Sequence, residues 1–229
     1  MRIRINFTKN SEKVPNNLNI VNSYIHTKCL GDNNEYHNTV SNYNISRLEG
    51  GVIIDNGKYV DFPKGGYLIV SSFDMDFIEK IMIGVMINTS IGFGMEFKSV
   101  DYIQEEFYNG WNYFKTLSSG FILKNPDGDF FTLDNSNISE ILKKHIINKF
   151  SKINPKLYFD DLEVIINQNK HHKIKNIYSK NVKNIANICQ INIKTNKKLA
   201  ETIYNYGIGQ STGSGFGVIC TTQYLKEYK

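Results

Sequence analysis

The sequence of 229 residues predicts an α+β fold built from two successive β-α-β-β-α-β units. Three observations predict it. Short stretches of period-two alternation are interleaved with stretches whose apolar residues recur every three or four positions. The order strand-helix-strand-strand-helix-strand is read once in the first half of the chain and again in the second. Near the end, residues 204–219 read YNYGIGQSTGSGFGVI, with five glycines inside eleven residues. A helical pattern (196–206) precedes that stretch, and an apolar, strand-like run (216–222) follows it.

The elements follow in order. Residues 2–8 alternate, with Ile3, Ile5 and Phe7 on one face, and predict the first strand. Pro15 and the asparagines after it open a helix to about residue 30, its buried stripe being Leu18, Val21, Ile25 and Cys29. The 31–34 Gly-Asp-Asn-Asn run breaks it. A short strand is expected at 43–48. Residues 52–54 with the Asn56-Gly57 turn form a hairpin extension. A third strand is expected at 66–71, a helix at 73–88 on Phe77, Ile78, Ile81, Met82, Val85 and Met86, and a fourth strand at 95–103. Tyr108-Asn109-Gly110-Trp111-Asn112 reads as a linker. The pattern then repeats: strand 120–123, helix 137–150, a hairpin of 162–167 with 184–193, helix 196–206 and strand 217–222. Residues 128–132 are the place for an additional strand. The expected division is therefore 1–108, a linker at 109–117, and 118–229. Each unit is ferredoxin-like in element order.

A hydrophobic fraction of 41% against 21% charged residues is that of a globular chain. A net charge of +5 permits a phosphate-rich partner without requiring one. Cys29, Cys189 and Cys220 are far apart and odd in number, which indicates neither a zinc site nor a disulfide framework. The first residues alternate as a strand does, and no apolar run is long enough to span a bilayer. A cytoplasmic location without membrane contact is expected.

The glycine stretch does not fit nucleotide-binding loops, which run from strand into helix so that phosphate meets a helix N-terminus. Gly207, Gly209 and Gly213 are spaced GxGxxxG, and no Gly-Lys-Ser/Thr follows. Gly207-Ile-Gly209, a five-residue spacer and Gly215-Phe-Gly217-Val do resemble the C-terminal glycine-rich signature of the CRISPR repeat-processing endoribonucleases, the Cas-six family of the repeat-associated RNA-binding superfamily. The resemblance spans essentially the whole chain and is strongest over 196–222. It implies tandem ferredoxin-like domains and cleavage of precursor CRISPR RNA within its repeats. That cut leaves a 2′,3′-cyclic phosphate and a 5′-hydroxyl. The alternative it leaves open is a non-catalytic RNA-binding subunit of a CRISPR effector complex.

Cleavage by the RNA's own 2′-hydroxyl needs a base, an acid and a group to stabilise the charged intermediate, but no cofactor and no metal. Among five histidines, His145 stands among lysines on a helix and reads as a solvated surface residue. His37 follows the first helix and precedes Asn44-Ile45-Ser46-Arg47-Leu48, and at that place the resembled family carries its general base. The family often adds a tyrosine from helix one and a lysine soon after the histidine. Here no lysine lies between His37 and Leu48, where Tyr43 is the candidate. On the helix, Tyr24 and Lys28 share one face and His26 points to the other side of the stripe, so the partner is either the Tyr24/Lys28 edge or His26. Adjacent acid pairs Asp160-Asp161 and Glu105-Glu106 point different ways and make no two-metal site.

RNA contacts are expected at two places. In the glycine loop, Gly207, Gly209, Gly213, Gly215 and Gly217 would present backbone amides to phosphate, and Ser211, Thr212 and Ser214 hydroxyls. In the hairpin connection, Lys170, His172, Lys173 and Lys175 supply charge, with Tyr178 as a stacking platform. The implied partner is CRISPR repeat RNA, precursor and processed. Membership of a multi-subunit effector complex and homodimer formation stay open.

Overall fold

The computed structural model describes residues 1–16, 20–31, 35–36, 41–167, 172–179 and 182–222. His37, Leu18, Lys170 and His171 lie outside the described residues.

The first unit is a five-stranded antiparallel sheet in the order β3-β6-β1-β8-β7, from β1 (Arg2–Phe7), β3 (Tyr43–Ile45), β6 (Tyr67–Ser72), β7 (Ser90–Gly92) and β8 (Met95–Ile103). Ile3, Ile5 and Phe7 are buried as their alternation requires, beneath a π-helix (Asn22–Cys29) and α1 (Met75–Ile87). Helix α1 starts where Asp74 accepts a hydrogen bond from the Phe77 amide, and it buries Phe77, Ile78, Ile81 and Val85. The expected 15–30 helix begins later. Val14–Pro15 is instead strand β2, paired with β5 (Tyr59–Asp61), which also pairs β4 (Val52–Ile54). Proline suits β2 because this strand is an edge and needs no ladder donor there.

The second unit repeats the topology. Its sheet runs β12-β15-β9-β16, from β9 (Gly110–Thr116), β12 (Glu163–Asn167), β15 (Gln190–Thr195) and β16 (Ile219–Thr221), with α2 (Ile138–Ile153) and α3 (Lys197–Tyr206) against it. Here the structure corrects the sequence reading. The expected 109–117 linker carries β9, a central strand hydrogen-bonded on both sides. Asn112, Phe114 and Thr116 point inward while Trp111, Tyr113 and Lys115 are less buried, so the alternation is hidden under polar residues on the core side. The segment expected to be the first strand contributes only β10 (Leu123–Lys124), paired with β11 (Phe130–Phe131). A ribbon, β13 (Lys173–Ser179) with β14 (Val182–Ile188), is inserted between β12 and β15.

The units meet through the outer face of the first sheet. Arg2, on the face opposite Ile3, is buried in the second unit. It donates to Ile219 O at 2.6 Å and to Tyr204 O, and lies 3.4 Å from the Tyr204 ring centroid. Ser71 Oγ donates to Asn205 O at 2.7 Å. Among the described residues no helix is long and apolar enough to cross a membrane.

Candidate RNA site

The glycine-rich loop leaves α3 at Gly207 (φ 71°), whose amide donates to Ile203 O. It then lies against β3 of the first unit. Gly215 bridges to Ser46, Thr212 Oγ1 donates to Tyr43 O at 3.3 Å, Asn44 Nδ2 donates to Gly217 O at 3.3 Å, and His26 Nε2 meets Gly213 O at 2.9 Å. The glycines are demanded by these close approaches. At Gly217 (φ 76°) a Cβ would stand 2.0 Å from Ile208 O, and at Gly207 it would meet Asn44 Nδ2 at the same distance. Gly209 backs onto Ile122, Gly213 onto Tyr43 and Gly215 onto Arg47. The amides of Ile208, Gln210, Ser214 and Gly217 donate to backbone carbonyls. Of the glycine amides, those of Gly207 and Gly217 are thus engaged within the protein. Ser211 stays exposed and Ser214 half-buried, while Thr212 is buried.

Beneath the loop lies a pair on α2 that sequence reasoning missed. Lys149 Nζ donates to Tyr206 O (3.1 Å), Gly207 O (3.2 Å) and Thr212 Oγ1 (3.3 Å), placing its amine on the C-terminal carbonyls of α3. Burial pulls its amine down to about 7. One turn earlier, His145 is half-buried against the loop and not solvated as expected. Burial, then Lys149, lowers its pKa, against a raising hydrogen bond with Gly209.

The catalytic candidates separate. Tyr24 is in the core: its hydroxyl donates to Asn88 O at 2.7 Å, its ring packs edge-on to Phe7, and burial raises its pKa. Lys28 is exposed and reaches Ser90 O at 3.4 Å, on that same edge. His26, buried, turns to the glycine loop. Its bond to a carbonyl fixes the proton on Nε2. Tyr43 lies beside it, ring centroids 6.0 Å apart, stacks on Phe77 and donates to Tyr36 O at 3.2 Å. A cavity of about 580 Å³ opens next to this cluster, lined by Tyr36 and Asn42, which flank the His37 segment in sequence, and by Lys80, Lys152, Asp74 and Asp76. Glu35, also on its wall, holds Lys80 at 2.6 Å. Among the described residues no group of three or more His, Cys, Asp or Glu side chains could hold a metal ion.

A second opening lies between the units. This groove of about 670 Å³ has one wall from the β2-β5-β4 sheet and the other from ribbon strand β13. Arg47, Lys58 and Lys175 line it with Tyr59 and Tyr178, and Glu49, Ser118 and Ser119 also border it. Among the described residues of the expected basic run, Lys175 alone lines the groove. His172 is half-buried and Lys173 exposed, and neither lines the groove. The Glu49 backbone pairs both ways with Tyr67, and its Oε1 accepts from Ser118 Oγ of the second unit at 2.9 Å. Burial pushes its carboxyl up to about 7, against lowering by the Ser118 hydroxyl and amide, Lys175 and Arg47. An acid brought to a cleft by a partner 69 residues away leaves no signal in local sequence.

The fold of this chain, two ferredoxin-like units in tandem, matches several solved structures. One, described as a CRISPR-associated protein Cas6, is 20% identical, covers 97% of this chain and 99% of its own, and superposes with a TM-score of 0.76. A Cas6-related protein of Pyrococcus furiosus is 17% identical over 97% and 98% of the two chains, with a TM-score of 0.82. A RAMP protein described as binding different RNA substrates is 18% identical over 96% and 99%, with a TM-score of 0.76. No curated protein matches the chain significantly by sequence. The family model for the C-terminal part of the CRISPR-associated protein Cas6 matches residues 103–220, and the chain belongs to that family. Its class of activity is CRISPR repeat RNA processing or binding.

Proposed function

We propose that the protein is a metal-independent endoribonuclease that cuts precursor CRISPR RNA within its repeats, with His37 as general base. His37 takes the 2′-hydroxyl proton, the 2′ oxygen attacks the adjacent phosphorus, and the bond to the 5′ oxygen breaks as that oxygen is protonated. The products are a 2′,3′-cyclic phosphate and a 5′-hydroxyl, and no water or metal enters the balance. The observation that carries this reading is the separation on the π-helix: His26 is joined to the glycine loop through Gly213, whereas Tyr24 and Lys28 turn to Asn88 and Ser90. Of the two alternatives for His37's partner, this favours the His26 side. His26 and Tyr43 are buried, so both act as positioning residues, Tyr43 through Tyr36 O, one residue before His37. With Lys80 tied to Glu35, Lys152 is the better placed cation for the charged phosphorus intermediate.

The inter-unit groove carries the RNA strand in this reading. Arg47, Lys58 and Lys175 offer charge to phosphates, and Tyr59 and Tyr178 offer faces to bases.

The test is cleavage of an end-labelled cognate repeat RNA in excess EDTA, beside a substrate with one 2′-deoxy at the cut site. Wild type cuts the first and not the second, and His37→Ala cuts neither while still binding. Tight binding without any cut by wild type would make the chain a non-catalytic RNA-binding subunit. Undiminished cutting by His37→Ala would move the chemistry elsewhere.

A further inference from the structure

We propose that the inter-unit groove reads one unpaired guanine of the bound RNA, with Glu49 as the specificity-determining residue. This rests on the RNA-binding reading of the groove given above.

A groove that only tracked a phosphate backbone would be lined with cations. This one sets a carboxyl among Arg47 and Lys175, where it would repel phosphate. A carboxylate there is useful if what approaches it is a row of donors. Guanine alone among the four bases puts two adjacent donors, N1–H and the N2 amino group, on its Watson–Crick edge. A carboxylate with two acceptor oxygens matches that pair. Adenine and cytosine each set one amino donor beside an acceptor nitrogen, and uracil flanks a single N–H with carbonyls.

The carboxyl is held for this task. The Glu49 backbone is locked to Tyr67 in both directions, and Ser118 Oγ occupies one lone pair of Oε1, which fixes the side chain without using up its acceptors. Next to it the Ser119 hydroxyl, 1% exposed, makes no hydrogen bond among the described residues, although Ser119 borders the groove. A buried polar atom left in that state is costly, and a base edge would satisfy it. The groove, about 670 Å³, is within the range of sites that enclose a small molecule, so a nucleotide fits. Tyr59 and Tyr178 on opposite walls provide stacking faces.

The two protonation states of Glu49 read different bases. Ionised, the group offers two acceptors and suits guanine. Protonated, it offers a donor beside an acceptor and suits adenine or cytosine. Burial places its titration near neutral pH, with Arg47, Lys175 and the Ser118 hydroxyl and amide facing it. Preference for guanine therefore grows from pH 6 to pH 8.

The experiment measures binding of the full chain carrying His37→Ala to unpaired oligoribonucleotides of A, U and C, by fluorescence anisotropy at fixed salt. A single guanine is moved through the strand, and at each register it is compared with inosine, which lacks the N2 amino group. At one register guanine binds about tenfold tighter than inosine at pH 8. The ratio shrinks at pH 6. Glu49→Gln collapses it to near one. Equal binding of guanine and inosine at every register overturns the inference, as does a Glu49→Gln protein that weakens all strands alike and keeps the ratio. Should Glu49→Gln fold poorly, the guanine–inosine comparison in the Glu49-containing protein decides alone. Failure of every strand and of the cognate repeat to bind would overturn the RNA reading as well. Repeat binding and cleavage without guanine preference would overturn this inference only.

Discussion

The two units touch each other in two different ways. At the glycine loop the contact reaches the backbone: Gly215 bridges to Ser46, and the Gly213 and Gly217 carbonyls meet the His26 and Asn44 side chains. At the groove the contact is between side chains that leave space, with Lys175 and Ser118 of one unit facing Arg47 and Glu49 of the other. A joint packed to backbone distance cannot shift without breaking. A cleft lined by charged and aromatic side chains can bind a strand and stay folded. Glycine therefore marks where this protein is fastened, and buried charge marks where it is open.

The largest expected effect breaks the fastened side. Gly217→Ala puts a Cβ 2.0 Å from a backbone oxygen at a φ of 76°. It should destabilise the protein by about 3 kcal/mol or more, since neither backbone segment can yield cheaply. Urea unfolding followed by circular dichroism measures it. A loss below about 1 kcal/mol would mean the loop is not packed to backbone distance at Gly217.

Next is Lys149, buried under that joint without a carboxylate among its hydrogen-bond partners. Its amine titrates near 7 in the folded protein and near 10.4 in an unfolded chain. Between those values the unfolded state holds more protons, so stability rises with pH, by at most about 1.4 kcal/mol per unit from this group. Wild type should gain on Lys149→Met between pH 7 and pH 9. Parallel stability–pH profiles for the two proteins would show that the amine is not desolvated.

On the open side, Lys175→Ala should weaken RNA binding about tenfold at low salt and flatten the salt dependence by about one counterion, with little change in unfolding midpoint. A change in stability without a change in binding would make the groove a second joint and erase the contrast.

Local pattern makes parts of this molecule legible in its sequence. The stripe of Phe77, Ile78, Ile81 and Val85 needs only its own spacing, as does the alternation of Ile3, Ile5 and Phe7, and both are buried as read. The glycine loop is legible by its spacing, but what its glycines pack against is not. The atoms that forbid a Cβ at Gly207, Gly209, Gly213 and Gly215 belong to Asn44, Ile122, Tyr43 and Arg47, distant in sequence. Strand β9 was lost because Asn109, Gly110 and Asn112 carry turn chemistry while the sheet on both sides supplies the pairing. His145 read as a surface residue because its helical neighbours in sequence are lysines. Its real neighbour is a loop more than sixty positions away. Glu49 and Ser118 are ordinary residues until the two units meet.

The smallest expected effect concerns the other edge of the π-helix. Tyr24 donates its hydroxyl to Asn88 O inside the first unit, and that bond is worth about 1 kcal/mol. Tyr24→Phe should cost no more than this in urea unfolding, because the ring that packs on Phe7 is kept. Repeat cleavage by this variant should match wild type within about twofold, since the Tyr24 hydroxyl is turned to Asn88 O and away from the glycine loop. His26→Ala should behave differently, slowing cleavage by loosening Gly213 while leaving the Asn88 contact untouched. A Tyr24→Phe protein that folds normally but cuts a hundredfold more slowly would reverse the assignment. The chemistry would then sit on the Tyr24/Lys28 edge, and the joint at Gly213 would be fastening alone.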